Sequence, residues 1–375
     1  MIVGIKDGLK LFGVAIVCAC AVFVCTFFLN YYLDCLALED IPAESVQLYN
    51  AQQLSAKLTC LITGGVLAVI AVFLVAFYTG LFIEERSKII GALKAMGYPN
   101  GTIALRFWVF GLSVLLGTAV GHGLGYALAP TIYSSMSDGF LEVPLHYHIE
   151  LTAGLVIAPT VVFSFVAVLC AYLKLRVPVM QLLRGKAEKA KTGKAKDNER
   201  SFLWEMFFRT PTAHKALAFF VALAGFCFAT MMQMSWSMTE LNDTVTMGVV
   251  MLVIGVVLSA TTFLLAMTSL TRGNAKTVSL MKAYGYNFWE YGNAVFGGFR
   301  LFAYIGFAVG TGYQYGLLRL MVDLVFNNVE NMPEYSFNVP CFFITLASFI
   351  VVYELAVLYF NYRIGKENVR KYVSE

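Results

Sequence analysis

Charge is what this chain has least of. Of its 375 residues 13% are Asp, Glu, Lys or Arg and 59% are hydrophobic, with a mean hydropathy of +0.72. A soluble domain carries about 25% charged residues, so an ordinary water-soluble fold is excluded. The chain also lacks a phosphate-binding loop. Gly193-Lys194, in the basic run, is followed by Ala195 where a Ser or Thr is required, and the glycine spacing is wrong. No nucleotide site is encoded. A cysteine framework is absent too: the eight cysteines are scattered through or beside apolar runs, as small hydrophobes are. Only Cys35 and Cys60 are placed to meet near an outer face. No short cleavable leader is evident, because the first apolar run is long enough to span a membrane.

What is present is apolar length. Eight runs of about 20 residues, the length that crosses a bilayer, fall near 11–33, 58–82, 103–130, 150–173, 214–234, 246–270, 294–322 and 340–362. Each must be a helix, since a lone strand in lipid leaves its backbone groups unsatisfied. The expected fold is an all-α membrane protein of eight transmembrane helices in two four-helix repeats. The repeat is legible directly: Lys94-Ala95-Met96-Gly97-Tyr98 returns as Lys282-Ala283-Tyr284-Gly285-Tyr286, 188 residues on. Gly121-His122-Gly123 returns as Gly310-Thr311-Gly312 in the same order, which argues for internal duplication. The expected division is a first module at 1–183, a basic linker at 184–200 and a second module at 201–375.

The few charges alternate along the chain. Lys6 and Lys10 precede the first span, and Asp34, Glu39, Asp40 and Glu44 follow it. Arg86, Lys88 and Lys94 follow the second; Asp138, Glu142 and Glu150 follow the third. Residues 174–215 hold eleven Lys or Arg against four acids, and the tail carries Arg363, Lys366, Arg370 and Lys371. Basic segments stay on the cytoplasmic side. The expectation is a multi-pass protein of the cell (plasma or inner) membrane with both termini cytoplasmic. The net charge of +4 then reflects topology and implies no nucleic-acid partner; the linker reads as a solvated tether near anionic headgroups.

Around the first copy the chain reads Glu84-Glu85-Arg86-Ser87-Lys88-Ile89-Ile90-Gly91-Ala92-Leu93-Lys94-Ala95-Met96-Gly97-Tyr98. Ile89, Ile90, Leu93 and Met96 keep helical spacing, Gly97 is placed to end the helix, and Pro99 bars its continuation. The second copy, from Asn274 through Lys276 and Lys282 to Gly285, is expected to keep the short amphipathic helix and its stop.

This segment resembles the signature of FtsX/MacB-type ABC transporter permeases. So does Phe207-Phe208-Arg209-Thr210-Pro211 before the fifth span, which is similar to the family's lead-in to its first span. The resemblance implies that the chain is a permease subunit and not an enzyme, with ATP and Mg bound by separate ABC ATPase subunits, two per assembly. It implies ATPase coupling through Glu84, Glu85, Arg86, Lys88, Lys94, Gly97, Lys276, Lys282 and Gly285. The second copy departs from the pattern, with Thr271-Arg272-Gly273 in place of the Glu-Glu-Arg start. Members of the family commonly carry a large extracytoplasmic domain between the first two spans of a module. Here 34–57 and 235–245 leave no room for one. The cargo expected is therefore amphipathic or membrane-resident: haem, lipid, peptide or drug, with an accessory membrane or substrate-binding subunit as a further partner. A secondary transporter with parallel repeats, or a non-transporting signalling or assembly subunit driven by an ATPase, are the alternatives.

Candidate cargo contacts are His122, an intramembrane polar residue; His146 and His148 in Pro144-Leu145-His146-Tyr147-His148, alternating imidazoles able to ligate haem or a metal; and Met232 and Met234 in the methionine cluster ending the fifth span. No full metal-ligand set is present. Glycines at every fourth position in the third and seventh spans (Gly117, Gly121, Gly125; Gly306 and Gly310, then Gly312 and Gly316) let helices approach closely, and are expected to pack the two halves together. Glu354, Arg300 and Glu290 mark either an ion pair or a polar cavity.

Overall fold

The computed structural model describes residues 12–37, 46–136, 143–183, 202–213, 215–242, 245–325 and 337–365. The linker 184–200, expected to be a tether, lies outside them. Seven helices are long and apolar enough to cross a bilayer. A pair bent by 44°, Phe288–Gly297 and Phe299–Leu320, makes an eighth where the two are taken as one span. No strand occurs among the described residues. The chain is a multi-pass, all-α membrane protein.

Two compact units are present: Met1–Lys196 with Val325–Glu330, and Asp197–Leu324 with Asn331–Glu375. The first contains α1 (Phe12–Leu36), α2 (Val46–Glu85), α3 (Ser87–Ala95), α4 (Asn100–Leu105), α5 (Gly111–Met136), α6 (Ile149–Thr152), α7 (Ala158–Lys174) and α8 (Val179–Leu183). The second contains α9 (Phe202–Ala213), α10 (Lys215–Asn242), α11 (Val245–Ala283), α12 (Phe288–Gly292), α13 (Phe299–Val325) and α14 (Val339–Gly365). In each unit the third span starts irregularly. A 3-10 turn at Arg106–Phe110 joins α4 to α5, and a π turn at Asn293–Gly297 joins α12 to α13. The duplication therefore extends to a break in helical geometry at matching places.

Glycine decides how these helices pack. A Cβ added at Gly117 or Gly121 on α5 would run into the backbone of Ala15 or Ala19 on α1. One added at Gly306 or Gly310 on α13 would meet Ala222 or Phe226 on α10. These stripes thus seat the third span of each module on its own first span, by backbone contact that any side chain would block. This corrects the expectation that they pack the two halves together. The physical reason is local: the first and third spans of a module need close approach, and a glycine row facing a carbonyl row provides it.

The fifth span's lead-in, α9, folds against the π turn. A Cβ at Gly298 would meet the Phe207 carbonyl and the Pro211 ring, and Thr210 Oγ1 donates to Ala294 O at 3.5 Å. All eight cysteines are free. Cys60 hydrogen-bonds to Cys25, not to Cys35.

Candidate functional site

Each unit has two ends: one carrying the repeated motif, the other reached by the opposite turns of the same helices. At the motif end both copies finish alike. Gly97 and Gly285 take φ of 92° and 87°, the only positive-φ glycines among the described residues. Gly97 N–H donates to Lys94 O (3.0 Å) and Tyr98 N–H to Leu93 O (3.2 Å). Gly285 N–H donates to Lys282 O (3.0 Å) and Tyr286 N–H to Met281 O (3.1 Å). Both are Schellman stops, and glycine is needed because its left-handed conformation costs nothing there.

The approach to the stop differs between copies. In the first the chain turns at Arg86 (φ −109°, ψ 21°) and α3 begins anew. In the second the motif is the last stretch of the 39-residue α11, which runs on unbroken from the membrane. This corrects the expectation of a second short helix. Thr271 Oγ1 donates to Met267 O (2.8 Å) and Asn274 Nδ2 to Leu270 O (3.0 Å), both buried, so the polar residues there turn back onto the helix and continue it. In the first copy the corresponding stretch is charged, Glu84-Glu85-Arg86, and the helix breaks there. Arg86 lies over the Phe82 ring (4.9 Å), and the reoriented α3 buries Ile90 fully and packs on α8.

Glu84 and Lys88 are exposed, as are Met96 (67%), Tyr284 (82%) and Gly97. Lys94 and Lys282 are only half exposed. Lys94 Nζ donates to Leu175 O (2.7 Å) and Val177 O (2.8 Å) at the end of α7. Lys282 Nζ donates to Gly365 O at the end of α14. Beside the second copy, Thr277, Leu280, Met281, Tyr284, Tyr286 and Glu290 line an open hollow of about 750 Å³. Glu290 also closes a capping box with Asn287 at the start of α12, its Oε2 accepting from Asn287 N–H (2.7 Å).

At the far end of the first unit two of the candidate histidines, His146 and His148, share one polar network. The hub is Asp34, read from sequence only as a charge beyond the first span. It lies inside α1 and is fully buried. Its Oδ2 accepts from Asn30 Nδ2 and Tyr133 OH, both 2.8 Å. Its Oδ1 accepts from His148 Nε2 (3.0 Å) and the His146 backbone N–H (3.3 Å). Tyr126 OH donates to Asn30 Oδ1 (2.8 Å). One turn deeper, His122 sits between hydroxyls, with Nδ1 2.9 Å from Thr26 Oγ1 and Nε2 2.9 Å from Thr152 Oγ1. Nearby, outside the apolar window of the second span, Tyr49 OH donates to Cys35 O (2.6 Å), and burial pushes its phenol above its ordinary range. The signal that could have found Asp34 is the Asn30/Asp34 spacing of four, which places both on one helix face.

The second unit repeats the three-helix clasp with other residues. Gln233 on α10 donates through Nε2 to Thr311 Oγ1 (3.0 Å) on α13 and Thr345 Oγ1 (3.2 Å) on α14. Thr311 is the duplicate of His122; in the first unit His122 itself bridges a first and a fourth span, and in the second that bridge is made by Gln233. Hydroxyls hold both His122 nitrogens, so it packs as a clasp residue. Met234 is buried and Met232 half-buried on the same helix as Gln233. Both methionines belong to the second unit and the three histidines to the first. Arg300 Nη2 donates to Glu354 Oε2 (2.7 Å), an ion pair joining α13 to α14. Among the described residues no cluster of three or more His, Cys, Asp or Glu is arranged to hold a metal.

Two tandem helical modules, each closing its second span with the same glycine-stopped segment, define a duplicated membrane permease. The family model for the FtsX-like permease C-terminal domain matches residues 61–179 and again 249–369, more than half of the chain. The chain therefore belongs to the FtsX-like permease family, whose members serve as membrane subunits of ABC transporters and pair with an ABC ATPase. No curated protein and no solved structure matches it.

Proposed function

We propose that the chain forms the membrane body of an ABC transporter and that both motif copies dock into ATPase subunits, which bind ATP and Mg. One observation carries this reading. At the motif end of each module a Schellman-stopped segment presents an exposed large apolar residue at the same place, Met96 in one copy and Tyr284 in the other. An exposed apolar side chain on a rigid helix end is what a groove on a soluble partner takes up. The hollow beside Tyr284 gives that partner a place to insert a side chain of its own.

Two motif copies in one chain fit one permease chain with two ATPase subunits, and both copies then lie on the cytoplasmic side with the termini. The connections between first and second spans, 37–45 and 243–244, cannot hold a folded external domain, which favours cargo taken from within the membrane. His146 and His148 are drawn to Asp34, so lipid-like or peptide cargo is favoured over a haem ring held by imidazoles.

The test is co-purification with the ATPase encoded for it, using Met96→Asp and Tyr284→Asp. A charge placed in an apolar groove opposes docking, so each variant should lose about half the bound ATPase and the double variant nearly all of it. Undiminished ATPase on the double variant would sink the reading.

A further inference from the structure

The motif lysine has a use inside the chain. Lys94 reaches Val177 O and Lys282 reaches Gly365 O, and in both cases donor and acceptor are 83 residues apart. All four positions are related by the 188-residue repeat. A side-chain contact preserved across duplicated halves whose surroundings have diverged (a broken helix in one, a continuous one in the other) is not an accident of one loop. Its chemistry is also favourable. The last carbonyls of a helix have no intrahelical donor and form the negative end of the helix dipole. An ammonium there makes charge-assisted hydrogen bonds, the stronger kind.

We infer that Lys94 and Lys282 are positioning residues that tie each motif segment to the end of the fourth span of its module. In the first unit the tie is doubled, because Lys94 bonds both Leu175 O and Val177 O while α3 packs on α8 just beyond. A displacement of α3 then drags the end of α7 with it; in the second unit the end of α11 drags the end of α14. The inference rests on the docking proposed above, since it says what the docked segment pulls. It assigns the lysines to transmission inside the permease, and leaves partner contact to Met96, Tyr284 and their neighbours.

Amide hydrogen exchange on the full chain in detergent tests the tie without any ATPase. Lys94→Met keeps the alkyl stem and removes the donors. Exchange across 175–183 should rise about tenfold, as expected for losing two charge-assisted bonds that hold a local unit closed. Lys94→Arg should restore it, and unchanged exchange in Lys94→Met would overturn the tie. The second arm adds a hydrolysis-deficient ATPase and ATP to the complex. In the wild type, protection should change in 87–95 and in 158–183 together. In the Lys94→Met/Lys282→Met variant the ATPase should stay bound, and the change should stop at 87–95. Loss of the ATPase from that variant, with wild-type exchange at 175–183, would make the lysines partner contacts and refute the inference. A wild-type chain that retains no ATPase would instead refute the docking proposal, and the first arm would still decide on the tie.

Discussion

Arg300 and Glu354 lie within spans, where an unpaired charge costs several kcal/mol and a paired one far less. Their contact of 2.7 Å joins the bent third span of the second module to its fourth. Arg300 Nε and the Tyr353 hydroxyl, both buried, have no hydrogen-bond partner among the described residues. The pair is thus under-supported, and its strength comes from the charges themselves. Glu354→Ala should destabilise the chain by about 1–3 kcal/mol, below the usual figure for a fully buried pair because both side chains are about one-third exposed. Arg300→Leu combined with Glu354→Leu should recover most of the loss, because replacing both partners strands no charge. Thermal unfolding in detergent measures both. A double variant weaker than Glu354→Ala would mean the pair does more than neutralise itself.

At the scale of elements, the glycine rows make the sharpest claim. Gly121→Ala places a methyl against the Ala19 backbone, which cannot rotate away, so α5 must lift from α1 at a cost of about 1–3 kcal/mol. Gly306→Ala should do the same to α13 and α10. Gly312→Ala is the control: its Cβ would meet nothing within 4 Å, and alanine is the better helix former. Unfolding midpoints should therefore split these glycines into two classes although the sequence gives them one spacing. Here lies the limit of what the sequence discloses. Spans, stops and the duplication follow from hydropathy and from Gly97 and Gly285, because local physics sets them. The partner of a glycine row does not, since spacing says that something approaches closely but not what. Asp34 was hidden for a similar reason. An acid at the end of an apolar run looks like a loop residue, while its partners Tyr133, His146 and His148 are 99 to 114 residues away. The bonds of Lys94 to Leu175 O and Val177 O could not be read either, because backbone carbonyls as acceptors leave no mark in a sequence. The break at Arg86 and its absence from α11 turn on which polar side chains are buried, again a tertiary fact.

At the scale of the whole molecule the proposal stands or falls on sidedness. In the proposed topology each module crosses the bilayer four times. The motif copies share a side because the four spans between them cross, and they share it with the chain's end only if the seventh and eighth cross as well. The seventh is the weakest case, because it is assembled from two helices bent by 44°. If that pair returned to the side it left, Lys282 and the chain's end at Glu375 would lie across the membrane from each other. Both motif copies, which precede the pair, would keep a common side, but the chain's two ends would not share a compartment. The hydrogen bond from Lys282 to Gly365 O, at the end of the eighth span, brings the two to one side and argues for full crossing of the bent pair. The eleven Lys or Arg in 174–215 assign the cytoplasmic side in the proposed topology. Single cysteines on a background free of the eight native ones decide the matter with a membrane-impermeant maleimide on intact cells. Lys191→Cys and Glu375→Cys should react only after permeabilisation. Glu240→Cys and Glu330→Cys, which the proposed topology puts on the outer face, should react without it. Labelling of position 375 from outside would make the bent pair re-entrant and would leave seven crossings. Labelling of position 191 from outside would invert the molecule and remove both motif copies from the reach of ATP.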